Sequence, residues 1–382
     1  MFFITTRMPI SYKQITLDEL LFSDDIKPRM FNPSTANTKT IRFESIPYKY
    51  TSRVNTLYLI SLLSDFNKAT ENLRTHEPRS DLYRTFYIPK HDGRPRRIDA
   101  PNDSLMAALK RLKQILEEDF GCLYHTSAFA YVKHRCTVDA VKKHQANESK
   151  WFGKYDLHDF FGSTTLEFVM KMLSMIYPIS EVVEDPIGKE ELEKAISLGF
   201  LNGGLPQGTP LSPTLTNIMM IPIDHILFNT LKDFNRQRYI YTRYADDFLI
   251  SSRYEFDPKE IEKLIVDTLR SFDAPFTLNQ TKTRYGSSSG RNWNLGVMLT
   301  KDNKITVGHK RKREFKAMLN SYILDKKNGH PWEIGDVRVL DGYRSYYSMI
   351  EKDVIDDIIS RMNTKYEFDI IESIREDLTP EA

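Results

Sequence analysis

The sequence contains very little cysteine. Cys122 and Cys136 are its two cysteines in 382 residues, too few for a disulfide framework and without the spacing of a cysteine zinc site. A long hydrophobic run is also lacking, because the apolar residues of Met1-Phe-Phe-Ile4 are too few for a signal peptide or a membrane span. We therefore expect a cytoplasmic protein that is not inserted in a membrane.

A strong excess of charge of either sign is lacking as well. The chain has 54 Lys and Arg against 52 Asp and Glu, a formal net charge of +2. The total charge therefore does not identify a partner, and its local distribution matters more. With 40% hydrophobic and 28% charged residues, the composition is that of a soluble globular protein, and the length allows two or three subdomains.

Two adjacent acidic residues, Asp246 and Asp247, interrupt an apolar stretch. Tyr241–Tyr244 and Phe248–Ile250 contain the aromatic and β-branched residues of two short strands, which predicts a hairpin with its turn at Ala245-Asp246. An ordinary solvated turn is the simpler alternative. Because the flanks predict partial burial, and because burying two like charges is costly unless a cation neutralises them, the pattern indicates a divalent metal site.

A third carboxylate and a turn-rich segment precede this hairpin. Asp156 stands in Lys154-Tyr-Asp-Leu-His-Asp-Phe-Phe161, where a strand enters a turn, and Gly203–Asn217 contains Leu-Pro-Gln-Gly-Thr-Pro-Leu-Ser-Pro. Together with Tyr244-Ala-Asp-Asp247, and in this order, these segments resemble the palm motifs of reverse transcriptases. The Tyr-x-Asp-Asp pattern alone would be a weak signal, whereas three motifs in order are specific for the enzyme class.

The resemblance covers roughly residues 80–350 and implies an α+β, right-hand polymerase fold. Such a fold has fingers, a palm with an antiparallel sheet, and a helical thumb. We expect an N-terminal helical extension at 1–80, fingers at 81–150, a palm with finger insertions at 151–290, and a primer-grip hairpin, thumb and C-terminal helix at 291–382.

The resemblance also implies two-metal nucleotidyl transfer. Asp156, Asp246 and Asp247 would be the catalytic carboxylates. Together with Leu157 they would hold two Mg²⁺ ions, for which Mn²⁺ can substitute. Asp159 is expected instead at the start of the next helix, where a negative charge is favourable.

The incoming deoxynucleotide is expected to contact several segments. A predicted hairpin over Thr85–Pro101, turning at Asp92-Gly93, carries four cations suited to phosphate oxygens; a solvated basic edge strand is the alternative. Phe161 corresponds to the steric gate that disfavours a 2′-hydroxyl, unless it and Phe160 are both core residues. The nucleotide-binding residues that the resemblance implies are Lys90, Arg96, Arg97, Phe161, Gln207, Gly208 and Lys282.

Contacts to the template and to the primer duplex are expected before and after the palm motifs. Lys301–Lys316 contains seven Lys and Arg against Asp302 and Glu314, a cluster that suits duplex binding or, alternatively, forms a solvated helix face. The nucleic-acid-binding residues that the resemblance implies are Lys133, Arg135, Leu295, Gly296, Lys310, Arg311, Lys312, Arg313, Tyr343 and Arg344.

Apolar periodicity predicts several helices around the motifs. They lie at Leu57–Leu63, Leu105–Phe120, Glu181–Ile196, Thr214–Leu231 and Pro258–Phe272. Ser212 and Pro213 are predicted to be the N-cap and first-turn residues of the fourth of these helices.

Branches of the family differ outside the palm. Group II intron enzymes usually continue past the thumb into DNA-binding segments, and we expect this chain to lack them. Retron enzymes usually carry Asn-Ala-x-x-His before the first palm motif and Val-Thr-Gly at the primer hairpin. Here residues 141–147 are Val-Lys-Lys-His-Gln-Ala-Asn and residues 293–296 are Trp-Asn-Leu-Gly. The sequence therefore most resembles the defence-associated (unknown-group) bacterial reverse transcriptases.

This resemblance implies an RNA-directed DNA polymerase that copies an associated non-coding RNA into cDNA, in bacterial antiphage defence. Two alternatives stay open: a retron-type enzyme that makes RNA-linked cDNA, and an RNA-binding defence scaffold with template-independent, protein-primed or vestigial polymerisation. The expected partners are the non-coding RNA template, the cDNA product and dNTPs. An oligomer or an accessory defence protein stays open, and the sequence identifies neither the template nor the primer.

Overall fold

The computed structural model describes residues 56–89, 93–122, 124–288, 293–294 and 296–379. Its first helix, α1 (Thr56–Ala69), is followed by the short helix α2 (Glu71–Arg74). Leu59 and Leu63 lie one helical turn apart on α1 and are both buried, so an apolar stripe attaches the helix to the rest of the protein. The helix predicted at Leu57–Leu63 is confirmed.

An antiparallel ribbon follows, made of β1 (Tyr83–Pro89) and β2 (Pro95–Pro101). Its register pairs Tyr87 with Arg97, and nearly all of β1 is exposed. The predicted hairpin is confirmed in its two strands, while Asp92 of its predicted turn lies outside the described residues.

Helix α3 (Asp103–Gln114) begins directly after the ribbon and continues into a single π-helical turn. The side chain of Asn102 caps it, because its Oδ1 accepts a hydrogen bond from the Leu105 amide at 2.9 Å. Leu109 and Leu112 are fully buried on its inner face. The helix predicted at Leu105–Phe120 is confirmed, with a wider last turn.

Helices and strands then alternate around one central sheet. In chain order they are α4 (Thr137–Ala146), β3 (Trp151–Asp156), α5 (Phe160–Ser163), α6 (Leu166–Leu173), α7 (Ile179–Glu184), α8 (Pro186–Ser197), α9 (Ser212–Met219), α10 (Ile221–Leu231), β4 (Tyr239–Tyr244), β5 (Asp247–Ser252), α11 (Pro258–Ser271) and β6 (Arg284–Ser287). Strands β4, β5, β3 and β6 form an antiparallel sheet in that spatial order, which we call the palm sheet. The strands predicted on either side of Ala245-Asp246 are confirmed, and so is the helix predicted at Pro258–Phe272.

The acidic segment Glu181–Ile196 was expected to be one helix, and this expectation is wrong. The structure has two helices, α7 and α8, separated at Asp185. Asp185 has extended backbone angles, and its Oδ1 accepts hydrogen bonds from the amides of Ile187 and Gly188, both at 2.9 Å. Pro186 follows as the first residue of α8, where its missing N–H costs nothing. A capping signal in the middle of the segment therefore starts a new helix.

The segment Thr214–Leu231 was also expected to be one helix and is divided into α9 and α10 at Met220. Pro222 in the first turn of α10 lacks the N–H that a continuous helix needs. The prediction that Ser212 is the N-cap is wrong, because Ser212 is the first residue of α9 and Leu211 occupies the N-cap position. The Ser212 hydroxyl instead donates to the Pro206 carbonyl at 2.8 Å, which fastens the preceding loop.

The last part of the described chain is a small sheet and three helices. The sheet contains β7 (Trp293–Asn294), β8 (Val297–Leu299) and β9 (Ile305–Thr306), and the helices are α12 (His309–Lys327), α13 (Ile334–Tyr366) and α14 (Ile370–Leu378). One apolar cluster holds the helices together, with Phe315, Leu319, Tyr322 and Leu340 among its buried members. A second cluster joins Leu299 of the small sheet to the palm sheet.

Helix α13 is interrupted at Glu351, whose backbone angles are φ −138° and ψ 63°. The Glu351 carboxylate accepts hydrogen bonds from the Thr306 hydroxyl at 2.8 Å, the Val307 amide at 2.9 Å and the Lys312 ammonium at 3.0 Å. The break thus coincides with a polar anchor between α13 and the chain segment at β9 and α12.

The predicted α+β class is confirmed. The exposed ribbon, the palm sheet and the helical C-terminal region correspond to the fingers, palm and thumb of a right-hand polymerase. The subdomain boundaries after residues 80, 150 and 290 stay predictions, and the N-terminal extension predicted at 1–80 is described only from Thr56. No helix in the described part of the chain has both the length and the apolarity to span a bilayer.

A buried histidine joins α4 to the palm sheet. The His144 ring is 0% exposed, with Nδ1 2.6 Å from the Ser251 hydroxyl oxygen and Nε2 2.8 Å from that of Thr242. The Ser251 hydroxyl donates onward to that of Ser149 at 2.7 Å. Burial, with a smaller contribution from the nearby Lys143 charge, lowers the pKa of His144 to about 3.

We expect this histidine to make the fold sensitive to mild acid. A histidine pKa that is lower in the folded than in the unfolded state gives stability at neutral pH that is lost as pH falls below the unfolded value. Between about pH 7 and pH 5 the loss should be about 2 kcal/mol. Urea unfolding at both pH values should show a smaller loss in His144→Gln, while His330→Gln, an exposed control, keeps the full loss. Equal losses in all three proteins would contradict the assignment.

Candidate active site

Three acidic residues meet at one end of the palm sheet. Asp156 is the last residue of β3 and lies opposite Asp247, the first residue of β5, while Asp246 occupies the preceding turn. The Leu157 amide donates to the Asp246 carbonyl at 3.0 Å, and the Asn279 amide donates to the Asp156 carbonyl at 2.7 Å. Main-chain hydrogen bonds therefore fix the position of each acid.

The protein environment disfavours the ionised form of the two turn acids. Burial raises the pKa of Asp246, and the negative charge of Asp156 raises it further. Burial raises the pKa of Asp247 to about 6, although the neighbouring Lys154 ammonium opposes this rise. The Asp247 Oδ1 atom is buried and has no hydrogen-bond partner among the described residues. These are the properties of a site that lacks positive charge.

Two lysines compensate part of this negative charge. The Lys282 Nζ atom lies 2.9 Å from Asp156 Oδ1 and 3.0 Å from Oδ2, and Lys154 Nζ lies 2.8 Å from Asp247 Oδ2. Lys282 was predicted as a nucleotide contact, whereas Lys154 was missed. Lys154 precedes Asp156 by two residues on β3, and side chains at this spacing share one face of a strand, so the signal was present in the sequence.

The donor set suits a hard divalent cation, because Mg²⁺ prefers carboxylate oxygens and water. The unpartnered Asp247 Oδ1 is one such oxygen. The described residues nevertheless contain no group of three His, Cys, Asp or Glu side chains arranged to hold a metal ion. Lys282 and Lys154 bond the oxygens that a cation would use, so cation binding requires the ammonium groups to move aside. Leu157 contributes its amide to the turn, as described above.

The loop that contains Gln207 and Gly208 packs against the ribbon. The Asp99 amide donates to the Gln207 carbonyl at 2.8 Å. Gly208 has φ +116°, and a Cβ atom there would lie 2.8 Å from Ile98 Cγ2 and 3.1 Å from the Asp99 carbonyl oxygen. Only glycine suits both this conformation and this spacing, so the loop is held close to β2.

The two predicted arginine contacts of β2 point to opposite faces of the ribbon, since side chains alternate along a strand. Arg97 is ion-paired with Asp99, with 2.9 Å between Nε and Oδ1. Arg96 shares its face with Ile98, which packs on Gly208. Burial raises the pKa of Tyr131, the charge of Asp246 raises it further, and the charge of Arg96 opposes this rise. Lys90 lies outside the described residues.

The two adjacent phenylalanines of α5 have different environments. Phe160 is 2% exposed and packs on Phe276 with 5.0 Å between ring centroids. Phe161 is partly exposed, and its carbonyl accepts a hydrogen bond from the Leu205 amide at 2.9 Å. Phe160 is therefore the core residue of the pair, and Phe161 lies next to the loop that carries Gln207.

A cavity of about 1480 Å³ lies between the small sheet and helices α12 and α13, and reaches the palm sheet at Lys154, the ion-pair partner of Asp247. The predicted nucleic-acid residues that line it are Gly296, Lys310, Arg311, Lys312 and Tyr343, together with Lys154. Arg311 donates to the Gly296 carbonyl, and Lys312 is ion-paired with Glu351. Two cations of the basic cluster at Lys301–Lys316 are therefore already bonded to other groups of the protein.

The remaining predicted nucleic-acid residues lie elsewhere. Lys133 and Arg313 are exposed and are not among the residues that line the cavity. Arg344 is paired with Asp341 at 2.7 Å between Nη2 and Oδ1. Arg135 donates through Nη1 to the carbonyls of His125 and Ala128 at 2.6 and 2.7 Å, so it braces its own loop. Leu295 lies outside the described residues.

Comparison with known proteins gives matches that include this site. The family model described as reverse transcriptase (RNA-dependent DNA polymerase) matches residues 88–315. Retron Ec83 reverse transcriptase of Escherichia coli is 28% identical over 300 residues, which are 77% of this chain and 89% of that protein. Retron Ec73 reverse transcriptase, also of Escherichia coli, is 27% identical over 313 residues, 78% of this chain and 90% of that protein.

Among solved structures, telomerase from Candida albicans in complex with a TWJ fragment of telomeric RNA has a TM-score of 0.43 and 14% identity, covering 83% of this chain and 59% of that one. Apo telomerase from Candida tropicalis has a TM-score of 0.42 and 12% identity, covering 85% of this chain and 68% of that one.

The Asp246→Asn variant should be more stable than the unmodified protein in metal-free buffer at neutral pH. A carboxyl pKa raised by folding means that the ionised form costs stability above the unfolded pKa, and asparagine removes this cost. The measurement is the melting temperature in EDTA. Asp156→Asn is the matched control, because it breaks the pair with Lys282 and should not stabilise. A lower melting temperature for Asp246→Asn would contradict the electrostatic account.

Proposed function

The chain belongs to the reverse transcriptase (RNA-dependent DNA polymerase) family, and from this premise we propose that Asp156, Asp246 and Asp247 catalyse templated transfer of deoxynucleotides to a primer 3′-hydroxyl. One observation carries the assignment: the β3–β5 register brings Asp156 opposite Asp247, with Asp246 beside them, and Lys154, the ion-pair partner of Asp247, lines a cavity that basic and aromatic residues also line. An RNA-directed DNA polymerase needs its catalytic carboxylates next to the bound primer–template duplex.

The three carboxylates, with Leu157 next to them, are the residues that would hold divalent metal. Bound Mg²⁺, or Mn²⁺ in its place, would lower the pKa of the attacking hydroxyl and stabilise the leaving pyrophosphate. Asp247 offers its unpartnered Oδ1, and Asp156 offers the two oxygens that Lys282 bonds. Once released from Asp156, the Lys282 ammonium is free to neutralise phosphate charge.

The same geometry supports roles in nucleotide selection. Arg96 shares the face of the ribbon that packs on Gly208, so its guanidinium suits the triphosphate, with Lys90 as its predicted partner. Arg97 is held by Asp99 on the other face and is a weaker candidate. Gln207 is held next to the ribbon, in reach of the nascent base pair.

The primer–template duplex is proposed to occupy the cavity between the palm sheet and the C-terminal helices. Lys310 is exposed and lines the cavity, as does the ring of Tyr343. These side chains suit phosphates and sugar surfaces. Lys133 and Arg313 are exposed cations that can extend the contact, whereas Arg135, Lys312 and Arg344 act mainly within the protein.

We further propose that the template is an associated non-coding RNA, that the product is its cDNA, and that the enzyme acts in the bacterial cytoplasm in antiphage defence. The matched relatives are named retron reverse transcriptases, which supports an RNA-templated enzyme that works with a dedicated RNA. The sequence departs from the retron signatures at residues 141–147 and 293–296, which supports a related branch. A retron-type enzyme with RNA-linked cDNA is the second candidate.

Replacing either Asp156 or Asp246 by asparagine should abolish DNA synthesis. Because the site provides charge stabilisation at the reacting phosphate, we expect primer extension on an RNA template to fall by about 1000-fold or more. Circular dichroism should show intact folding in both variants, and Asp257→Asn at the N-cap of α11, where asparagine also caps a helix, is a control outside the site. Extension that survives in both variants would exclude these acids as the catalytic residues.

Sequencing of the nucleic acids that copurify with the protein would identify the template. The protein is expressed with its native flanking DNA, and the bound RNA and DNA are sequenced. One enriched RNA with complementary cDNA, absent in Asp246→Asn, supports the proposal, and cDNA covalently joined to that RNA supports the retron-type alternative. Bound RNA without cDNA, unchanged by the variant, would favour an RNA-binding scaffold.

Phe161→Val should weaken discrimination between deoxynucleotides and ribonucleotides. A smaller side chain leaves room for a 2′-hydroxyl, and we expect the ratio of kcat/KM values to fall on the order of 100-fold. Single-nucleotide incorporation assays with dNTP and NTP measure the ratio. Phe160→Leu is the matched control, which should lower stability and keep discrimination. If Phe160→Leu and not Phe161→Val relaxed selection, the gate would be assigned to the wrong ring.

A further inference from the structure

A fully buried polar cluster lies behind the turn that carries the catalytic acids. Arg243 of β4 and Asp224 of α10 are both 0% exposed and form a two-pronged pair, with 2.8 Å from Nε to Oδ1 and 2.7 Å from Nη2 to Oδ2. The Tyr241 hydroxyl donates to the same Asp224 Oδ1 at 2.7 Å. The charge of Arg243 is therefore compensated by a partner on a helix, away from the acids.

The remaining arm of Arg243 reaches the turn itself. Its Nη1 donates to the Ala245 carbonyl at 3.1 Å and to Asn217 Oδ1 at 3.1 Å. Ala245 has φ +56°, a left-handed conformation that is unfavourable for a residue with a Cβ atom. The next carbonyl, that of Asp246, accepts from the Leu157 amide. Two successive carbonyls of the turn are thus held from two directions.

The cluster also connects the turn to residues 127–131, which precede the predicted nucleic-acid contact Lys133. The Asn217 amide donates through Nδ2 to the Ala130 carbonyl at 2.8 Å. The Arg243 main chain accepts from the Phe129 amide at 2.9 Å and donates to the Ser127 carbonyl at 2.7 Å. Tyr131, directly after Ala130, is exposed and also has a left-handed backbone, with φ +60°.

Neither stability nor charge gives a sufficient reason for this arrangement. A buried ion pair contributes little net stability compared with apolar packing, and β4 is otherwise an apolar strand of a well-packed sheet. The charges that act most strongly on Asp246 are those of Asp156, Lys282 and Lys154. What Arg243 adds at the active site is a directed hydrogen bond to one carbonyl of the turn.

We propose that Arg243 is a positioning residue: through Nη1 it keeps Ala245 in its left-handed conformation, and so aims Asp246 and Asp247, while Asn217 joins this turn to the Ala130–Tyr131 segment. The inference rests on the proposed polymerase function. Only the guanidinium fork can bond Asp224, Asn217 and the turn at once, because a lysine has a single charged nitrogen at its end.

The decisive variant is Arg243→Lys, which retains the charge opposite Asp224 and loses the bond to Ala245. We expect kcat for primer extension to fall about 10- to 100-fold, with KM values for dNTP and primer–template within about threefold of the unmodified enzyme. Tyr241→Phe is the matched control: it removes a hydrogen bond from the same carboxylate without touching the turn. It should lower the melting temperature and leave kcat within about twofold.

A second substitution separates positioning from general destabilisation. Glycine adopts a left-handed backbone without strain, so Ala245→Gly in the Arg243→Lys background should recover kcat about tenfold, while the melting temperature does not rise. In the unmodified background Ala245→Gly should not raise kcat. If Arg243→Lys does not fold, Asn217→Ala, which breaks the link to Ala130 and leaves the Arg243–Asp224 pair, should give the same loss of kcat at unchanged KM.

Several results would overturn the proposal. They are an unchanged kcat in folded Arg243→Lys, an equal loss of kcat in Tyr241→Phe, and no recovery on adding Ala245→Gly. All variants are compared with an unmodified enzyme that extends a primer on RNA. Absence of extension by the unmodified enzyme would contradict the proposed function itself, so the two failures are distinguishable.

Discussion

The pairing of β3 with β5 is the constraint on which the rest of the active site depends. Its register requires Asp156 and Asp247 to face each other, although two carboxylates at such a position repel and lose hydration. The ammonium groups of Lys154 and Lys282 offset part of this repulsion, because they are ion-paired with Asp247 and Asp156. A palm sheet built this way holds an unfavourable charge arrangement that the proposed binding of cations would relieve.

The elements around the sheet restrict how this charged end can relax. The Asp246 carbonyl is bonded by the chain leaving β3, and Asn279 bonds the carbonyl of Asp156. From behind, Arg243 supports the turn through its pair with Asp224. The acids cannot separate without breaking main-chain hydrogen bonds or a buried ion pair, and both are costly. Rigid support of repelling groups is what a preorganised site requires.

The sequence predicted those features that depend on short patterns. Aromatic and β-branched residues on both sides of Asp246-Asp247 identified the hairpin, and ordered motifs identified the family. Ion pairs leave no periodic signal, which is why the pairs of Lys154 with Asp247, across two strands, and of Arg97 with Asp99, along one strand, were not predicted, although the strand spacing of Lys154 and Asp156 was visible in the sequence. The breaks at Asp185 and Met220 were missed for another reason. Apolar periodicity continues across them, and a proline in the first turn restarts the helix without changing the pattern.

The basic cluster that begins α12 illustrates how tertiary contacts change the meaning of a charge run. Arg311 bonds the Gly296 carbonyl and Lys312 is paired with Glu351, so these two side chains connect the small sheet to the C-terminal helices. Lys310 and Arg313 are exposed. A cation already paired within the protein displaces fewer counterions from nucleic acid than an exposed one. Counting lysines and arginines in the sequence therefore overstates the charge available to the proposed duplex, because the paired cations connect elements of the protein around the cavity.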